Sequence, residues 1–110
     1  MRTASRVDAT QAEIVAAMRA AGASVWPIKL PVDLLVGVNG VTALVECKTL
    51  TGKRNPKPSR YTDLQRDFMA AWRGGPVATI CDVESALRLV ATMRESGKPK
   101  ISVDALLSST

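Results

Sequence analysis

The Asn39-Gly40 pair constrains the fold of this chain more than any other local feature. It lies between two β-prone segments, residues 33–38 and 41–48, and Asn-Gly is the pair that a two-residue type I′ turn favours. We therefore predict a β-hairpin. With the turn centred on this pair, residues whose numbers sum to about 79 face each other, so Asp33 is expected to lie opposite Glu46.

A helix is predicted before the hairpin, over residues 10–21, because its apolar residues recur at helical spacing. Thr10 and Glu13 form a capping-box pattern at its start, and Gly22 is a typical C-cap after its end. In this interpretation Glu13 has a structural role as the capping partner of Thr10.

The remaining segments predict an α/β fold, with one domain over residues 1–96 and a weakly specified tail over residues 97–110. Residues 24–30 are β-prone, and Pro27 restricts this segment to an edge strand or a bulged strand. A short strand between two further helices indicates a crossover and parallel pairing. The predicted order is helix, three-stranded antiparallel meander, helix capped by Thr62, parallel strand, and helix capped by Asp82.

The charge of the chain favours a polyanionic partner, since 15 Lys and Arg against 10 Asp and Glu leave a net charge of +5. Part of the excess lies in a proline-interrupted segment without acidic residues, which predicts a basic loop rather than a helix. Its basic residues are Lys48, Lys53, Arg54, Lys57 and Arg60.

The location of the protein is predicted from what its sequence lacks. Residues 1–6 contain no apolar segment of a signal peptide, and no apolar stretch approaches the roughly 18 residues of a membrane-spanning helix. Cys47 and Cys81 lie in apolar runs, which favours buried free thiols in a reducing compartment. We expect a cytoplasmic protein without a membrane partner.

Asp33, Glu46 and Lys48 form the candidate catalytic site. Glu46 and Lys48 project from one face of a strand because they are two residues apart, and the hairpin register brings Asp33 beside them. Two converging carboxylates make an oxygen site of the kind that Mg²⁺ or Mn²⁺ prefers, and a nearby lysine can position water or stabilise charge on phosphorus. Phosphodiester hydrolysis is therefore predicted; the alternative is an exposed cross-strand salt bridge worth ~0.2–1 kcal/mol. Histidine-based catalysis is excluded because the chain has no histidine.

These residues also carry a family resemblance. Pro31-x-Asp33 followed by Leu44-Val45-Glu46-Cys47-Lys48 resembles the PD-(D/E)XK nuclease motif, and residues 6–90 are similar to small phage VRR-NUC proteins and, more distantly, to archaeal Holliday-junction resolvases. The resemblance implies a restriction-endonuclease-like mixed sheet flanked by helices, Mg²⁺ dependence, and cleavage of DNA, often branched DNA cut by a homodimer. A phage-encoded protein of this kind would act in the host cytoplasm. Further similar stretches are residues 11–21, 22–25, 33–37, 72–77 and 82–87.

The resemblance assigns a role to Gln65 and shows two departures. Gln65 resembles a family glutamine that contacts the metal-bound water or a phosphate, with an ordinary solvent-facing residue as the alternative. Val32 separates the proline from Asp33, and Gln11 stands where the family often has a glutamate, although glutamine is a poorer metal ligand. Glu13 cannot simply replace it, because two residues along a helix turn the side chain by about 200°.

Two groups of side chains remain open to more than one interpretation. The basic loop is expected to contact the DNA backbone through Lys53, Arg54, Lys57 and Arg60, with a solvated loop as the alternative. Trp26, Phe68 and Trp72 follow apolar patterns and are expected in the core or in a dimer interface rather than as stacking platforms for bases.

The predicted function is that of a metal-dependent DNA endonuclease, with DNA and a second copy of the chain as partners and no organic cofactor. Structure-selective cleavage is expected, since so small a chain has no separate helix for reading bases in the major groove. One alternative is an inactive DNA-binding module in which Gln11 leaves the metal site incomplete. Another is a nicking or flap-cleaving nuclease of phage replication, recombination or packaging.

Overall fold

The computed structural model of the chain describes residues 6–51, 57–58 and 61–97. Within them a four-stranded sheet has the order β1-β2-β3-β6, with β1, β2 and β3 antiparallel and β6 parallel to β3. This α/β architecture confirms the predicted meander followed by a crossover to a parallel strand. The elements in chain order are α1 (Arg6–Ala20), β1 (Ser24–Pro27), β2 (Leu34–Val38), β3 (Val41–Cys47), β4 (Leu50–Thr51), β5 (Lys57–Pro58), α2 (Asp63–Ala71), β6 (Val77–Ile80) and α3 (Val83–Ser96).

The β2–β3 hairpin has the predicted turn and register. Asn39 and Gly40 both have positive φ, 50° and 82°, as a type I′ turn requires. Leu34 pairs with Val45, and the ladder closes next to the turn. Extending this register by one residue places the site that we predicted at the open end of the hairpin.

Helix α1 begins earlier than predicted. It starts at Arg6, so Thr10 lies inside the helix, and the predicted capping box with Glu13 is wrong. The residues before Thr10 include no glycine or proline, and a capping pattern marks a start only where the preceding chain stops being helical. The predicted end is confirmed: Gly22 (φ 97°) donates from its N–H to the carbonyl of Arg19 at 3.0 Å in a Schellman motif.

The hydrophobic core lies between one face of the sheet and the two helices α1 and α3. Helix α3 follows its predicted N-cap, Asp82, whose side chain accepts a hydrogen bond from the Ser85 N–H at 2.7 Å. The buried stripe of α3 follows Ala86, Val90 and Met93, while Leu87 is exposed. The largest fully buried side chains are Ile14, Met18, Val32, Leu34, Val36, Val45 and Val90.

Strand β1 is an edge strand of this sheet, as Pro27 predicted, although it ends at Pro27 rather than at residue 30. The Arg19 guanidinium donates to the Val25 carbonyl at 2.8 Å. An edge strand leaves backbone groups unpaired, and this contact from α1 satisfies one of them.

Helix α2 contacts the opposite face of the sheet at its first turn, where Gln65 donates to Glu46. Thr62 is its N-cap, as predicted, and the helix ends at Ala71. No residue of α2 is buried, Phe68 is half-buried, and both Trp26 and Trp72 are exposed. The core alternative is therefore wrong for the two tryptophans, because the second face of the sheet is covered only in part, while the dimer-interface alternative stays a prediction.

Several predictions lie partly outside the described residues. In the basic segment, the backbones of β4 and β5 pair as a short antiparallel hairpin, while Lys53, Arg54, Arg60 and the side chain of Lys57 are outside the described part. Residues 98–110 of the tail are outside it as well. In the part of the chain that is described, no helix has the length and apolar character needed to cross a membrane.

Candidate active site

Four of the predicted site residues are brought together at one end of the sheet. The Cys47 N–H donates to Asp33 Oδ2 at 2.8 Å. Lys48 Nζ lies 3.1 Å from Glu46 Oε2 and donates to Gln65 Oε1 at 3.0 Å. The Gln65 side-chain amide also donates to the Glu46 carboxylate. The predicted cluster is thus a continuous network of hydrogen bonds and charges.

Three elements position these side chains. Asp33 directly precedes β2, Glu46 lies at the end of β3, and Lys48 follows β3, with its N–H donating to the carbonyl of Ile80 at 2.9 Å. Gln65 comes from the first turn of α2, where its Oε1 also accepts the Thr62 N–H at 3.1 Å. The capping box of α2 therefore joins this helix to the hydrogen-bond network of Glu46 and Lys48.

Tyr61 and Thr79, which no sequence pattern predicted, also belong to the site. The Tyr61 hydroxyl is hydrogen-bonded to Thr79 Oγ1, and the Tyr61 ring centroid lies 5.2 Å from Lys48 Nζ. Thr79 is the β6 partner of Glu46 in the sheet. No local pattern marks either residue, because only the crossover to β6 brings them beside Lys48.

The Glu46–Lys48 pair is buried, with Glu46 only 3% and Lys48 8% exposed. An exposed cross-strand salt bridge, the alternative interpretation, is therefore wrong. Burying two charges costs desolvation energy, and the attraction between the charges seldom exceeds this cost by much. A buried ion pair is therefore weak evidence for stability. Buried titratable clusters of this kind are more typical of functional sites.

The carboxylate of Glu46 has one oxygen without a protein partner. Oε1 is buried and makes no hydrogen bond within the described part of the chain. Burial raises the pKa of the Glu46 carboxyl, and the adjacent Asp33 raises this pKa further, while Lys48 and Gln65 lower it. An unpaired buried acceptor costs about 1–3 kcal/mol or more, so a bound cation would remove both this cost and the repulsion between the carboxylates.

The donor set for a cation consists of two carboxylates. Among the described residues, no group of three or more His, Cys, Asp or Glu side chains is placed to hold a metal. Burial and the negative charges of Asp33 and Glu46 raise the pKa of the Cys47 thiol to about 12, so this sulfur stays protonated at neutral pH. Two carboxylates still fit Mg²⁺, which proteins often bind through one or two carboxylates together with substrate phosphates.

Gln11 and Glu13 of helix α1 lie away from this cluster. Gln11 is half-buried and lines a groove of about 420 Å³ together with Val15, Arg19 and Pro27. Glu13 is exposed to solvent. With the capping box absent, Glu13 is an ordinary surface residue of α1.

Comparisons with known proteins identify no relative of this chain. No protein-family model matches the chain, and no curated protein or solved structure matches it either. The resemblance to PD-(D/E)XK nucleases therefore stays a prediction, based on the motif residues of the hairpin.

Proposed function

We propose that this protein is a Mg²⁺- or Mn²⁺-dependent DNA endonuclease with a PD-(D/E)XK core. The observation that carries the proposal is the buried Glu46 carboxylate, which keeps one oxygen unpartnered beside a second carboxylate, Asp33, and an ammonium group, Lys48. Two carboxylates with a lysine suit metal-assisted hydrolysis of a phosphodiester bond better than acyl transfer, since the described site offers no histidine-activated nucleophile.

Each side chain of the site has a distinct role in the proposed reaction. Asp33 and Glu46 would hold the metal, which when bound activates water and neutralises charge on the scissile phosphate. The Lys48 ammonium orients the attacking water or stabilises charge that develops on the phosphoryl oxygens. Gln65 fixes the positions of both Lys48 and Glu46, and the Tyr61 ring lies beside the ammonium as a cation–π partner.

DNA is the proposed substrate because of the charge of the chain and the place of the basic segment. The net charge is +5, and the segment that carries Lys53, Arg54, Lys57 and Arg60 follows Lys48 directly. Backbone contacts from these residues would favour a DNA structure over a base sequence. A homodimer belongs to the same proposal, since paired cuts at a branched junction need two active sites.

Cleavage of labelled DNA tests the proposal. Linear duplex, flapped, single-stranded and four-way-junction substrates are incubated with Mg²⁺, Mn²⁺ or EDTA. We expect cutting with either metal, none with EDTA, and a preference for branched substrates. If no substrate is cut in any metal, the nuclease function is excluded.

A second candidate is a DNA-binding module without activity. It is favoured by Gln11, which lies in a separate groove and adds no acidic ligand to the two carboxylates. The same substrates distinguish it: DNA would bind with a steep salt dependence but would not be cut.

The affinity of the site for a metal is expected to fall steeply as the pH is lowered. Because the folded-state pKa of Glu46 is raised above its ordinary value of 4.5, protons compete with the metal at higher pH than they would at a free glutamate. The raised pKa of Glu46 also affects the stability of the metal-free protein. Protonated Glu46 stabilises the folded state below the ordinary pKa of 4.5, and this stabilisation is lost as the pH rises through the raised pKa. Calorimetric titration with Mn²⁺, at pH values from neutral downward, measures the loss of metal affinity. Thermal unfolding in EDTA measures the pH dependence of stability. In the Glu46→Gln variant the unfolding should lose this pH dependence; an unchanged profile would contradict the assignment.

A further inference from the structure

The face of the sheet that carries Glu46 also carries a row of apolar side chains. In the register of the sheet, Trp26 pairs with Leu35, and Leu35 pairs with Leu44; we call these three residues the apolar row. It lies two residues along the strands, about 7 Å, from the row that contains Asp33 and Glu46. The residues that alternate with the apolar row are buried on the other face, in the core: Val25, Leu34, Val36, Ala43 and Val45.

The apolar row is open to solvent. Trp26 is 69% exposed and Leu35 is 36% exposed, although they are direct cross-strand neighbours. Next to Trp26, Leu35 and Leu44 line a cavity of about 230 Å³ together with Trp72, which is 44% exposed. Single exposed apolar residues are normal on protein surfaces, whereas a contiguous apolar surface that leads into a groove indicates binding.

Trp72 is held in place before any partner binds. Its indole Nε1 donates to the carbonyl of Gly75 at 2.8 Å, and its ring centroid lies 5.3 Å from that of Phe68. The ring packs so closely against Gly74 that a Cβ at that position would clash with it. A fixed aromatic side chain loses little conformational freedom when a ligand stacks on it.

We propose that the apolar row and Trp72 bind unpaired DNA bases, with Trp26 as the stacking surface. The substrate would then present single-stranded nucleotides next to the scissile phosphate. This inference rests on the proposed nuclease function, which places a phosphate at Asp33 and Glu46. The occupant follows from continuity with that site, because a base attached near a phosphate held there would lie over the apolar row.

The chemistry of the groove favours bases over a protein partner. Every base has a π-face that stacks on an aromatic side chain irrespective of sequence, but bases inside a duplex do not expose these faces. The net charge of +5 and the buried Lys48 ammonium at the adjacent row suit a ligand that combines apolar bases with a phosphate backbone.

Binding is measured with Ca²⁺, a larger and less polarising cation that can join the carboxylates to a phosphate, so that hydrolysis interferes little. Three probes are used: a short oligothymidylate, a strand of equal length with abasic sites, and a blunt duplex. Trp26→Ala should weaken binding of oligothymidylate by about 10- to 100-fold, the loss of one stacked base, and should leave the abasic strand and the duplex unchanged. Leu87→Ala, which removes an exposed leucine from α3, is the matched control and should alter none of the three.

Three results would overturn the proposal that the apolar row binds bases. The first is equal binding of the abasic strand and oligothymidylate to the wild-type protein, and the second is binding of oligothymidylate to Trp26→Ala as tightly as to wild type. The third is conversion of a dimer into monomers by Trp26→Ala in sedimentation, which would make the row a protein interface. Cleavage of the linear, flapped, single-stranded and four-way-junction substrates with Mg²⁺ separates this inference from the proposed function. If DNA binds through Trp26 but wild type cuts no substrate, the nuclease function is excluded and base binding by the apolar row is supported. If wild type cuts DNA and Trp26→Ala leaves binding and cleavage unchanged, the nuclease function is supported and base binding by the row is excluded.

Discussion

Replacing Glu46 with glutamine is expected to lower the rate of DNA cleavage by about 1000-fold or more and to remove measurable Mn²⁺ binding. Glutamine has nearly the same shape but no negative charge, so the site keeps only Asp33 as an anionic ligand. The buried position, 3% exposed, leaves no room for another side chain to take over. Calorimetric titration with Mn²⁺ and single-turnover cleavage of the preferred substrate measure the two losses separately.

Glu13→Gln is the matched control for this substitution. It removes the same charge from an exposed position of α1, and we expect unchanged metal binding and cleavage. Asp33→Asn should reproduce the Glu46 result, because the two carboxylates share one site. Full Mn²⁺ affinity in Glu46→Gln would show that the unpartnered oxygen is not a metal ligand, and the proposed function would lose its main support.

Replacing Lys48 with methionine is expected to reduce the cleavage rate by about 100- to 1000-fold without loss of metal binding. Methionine keeps the length and the apolar stem of the buried lysine but not its ammonium group. Removing this positive charge leaves two carboxylates that attract a cation at least as strongly as before. The effect should therefore be found in the rate of the chemical step, measured in single turnover at saturating Mn²⁺.

Lys29→Met provides a control, since Lys29 is an exposed lysine in the connection before β2 and should tolerate the change. Gln65→Ala should give a smaller loss, about 10-fold, because it only holds Lys48 and Glu46 in position. This variant should also destabilise α2 by ~1 kcal/mol, since Gln65 closes the capping box with Thr62. Wild-type cleavage rates in Lys48→Met, or loss of Mn²⁺ binding in that variant, would contradict the role given to the ammonium group.

Local chemistry was sufficient to predict the part of the fold that creates the site. A type I′ turn needs positive φ at two successive residues, which Asn39 and Gly40 tolerate, and this turn determines every pairing between β2 and β3. Thr62 and Asp82 identified two helix starts in the same way, through side chains that accept hydrogen bonds from the first turn. Such signals act over a few residues and therefore can be read directly from the chain.

The start of α1 shows where local patterns fail. Thr10 and Glu13 match a capping box, but the helix continues back to Arg6 because nothing in the preceding residues ends it. The same sequence pattern is therefore compatible with a helix start and with a helix interior, and the capping pattern alone does not separate the two.

The sequence by itself determined the hairpin, its register and the meeting of Asp33 with Glu46, because turn geometry and strand periodicity are local properties. Only the tertiary structure decided that the Glu46–Lys48 pair is buried, that Tyr61 and Thr79 join it, and that Trp26 and Trp72 remain exposed. An apolar residue is buried only where another element covers it: α1 and α3 cover one face of the sheet, while α2 covers the other only in part.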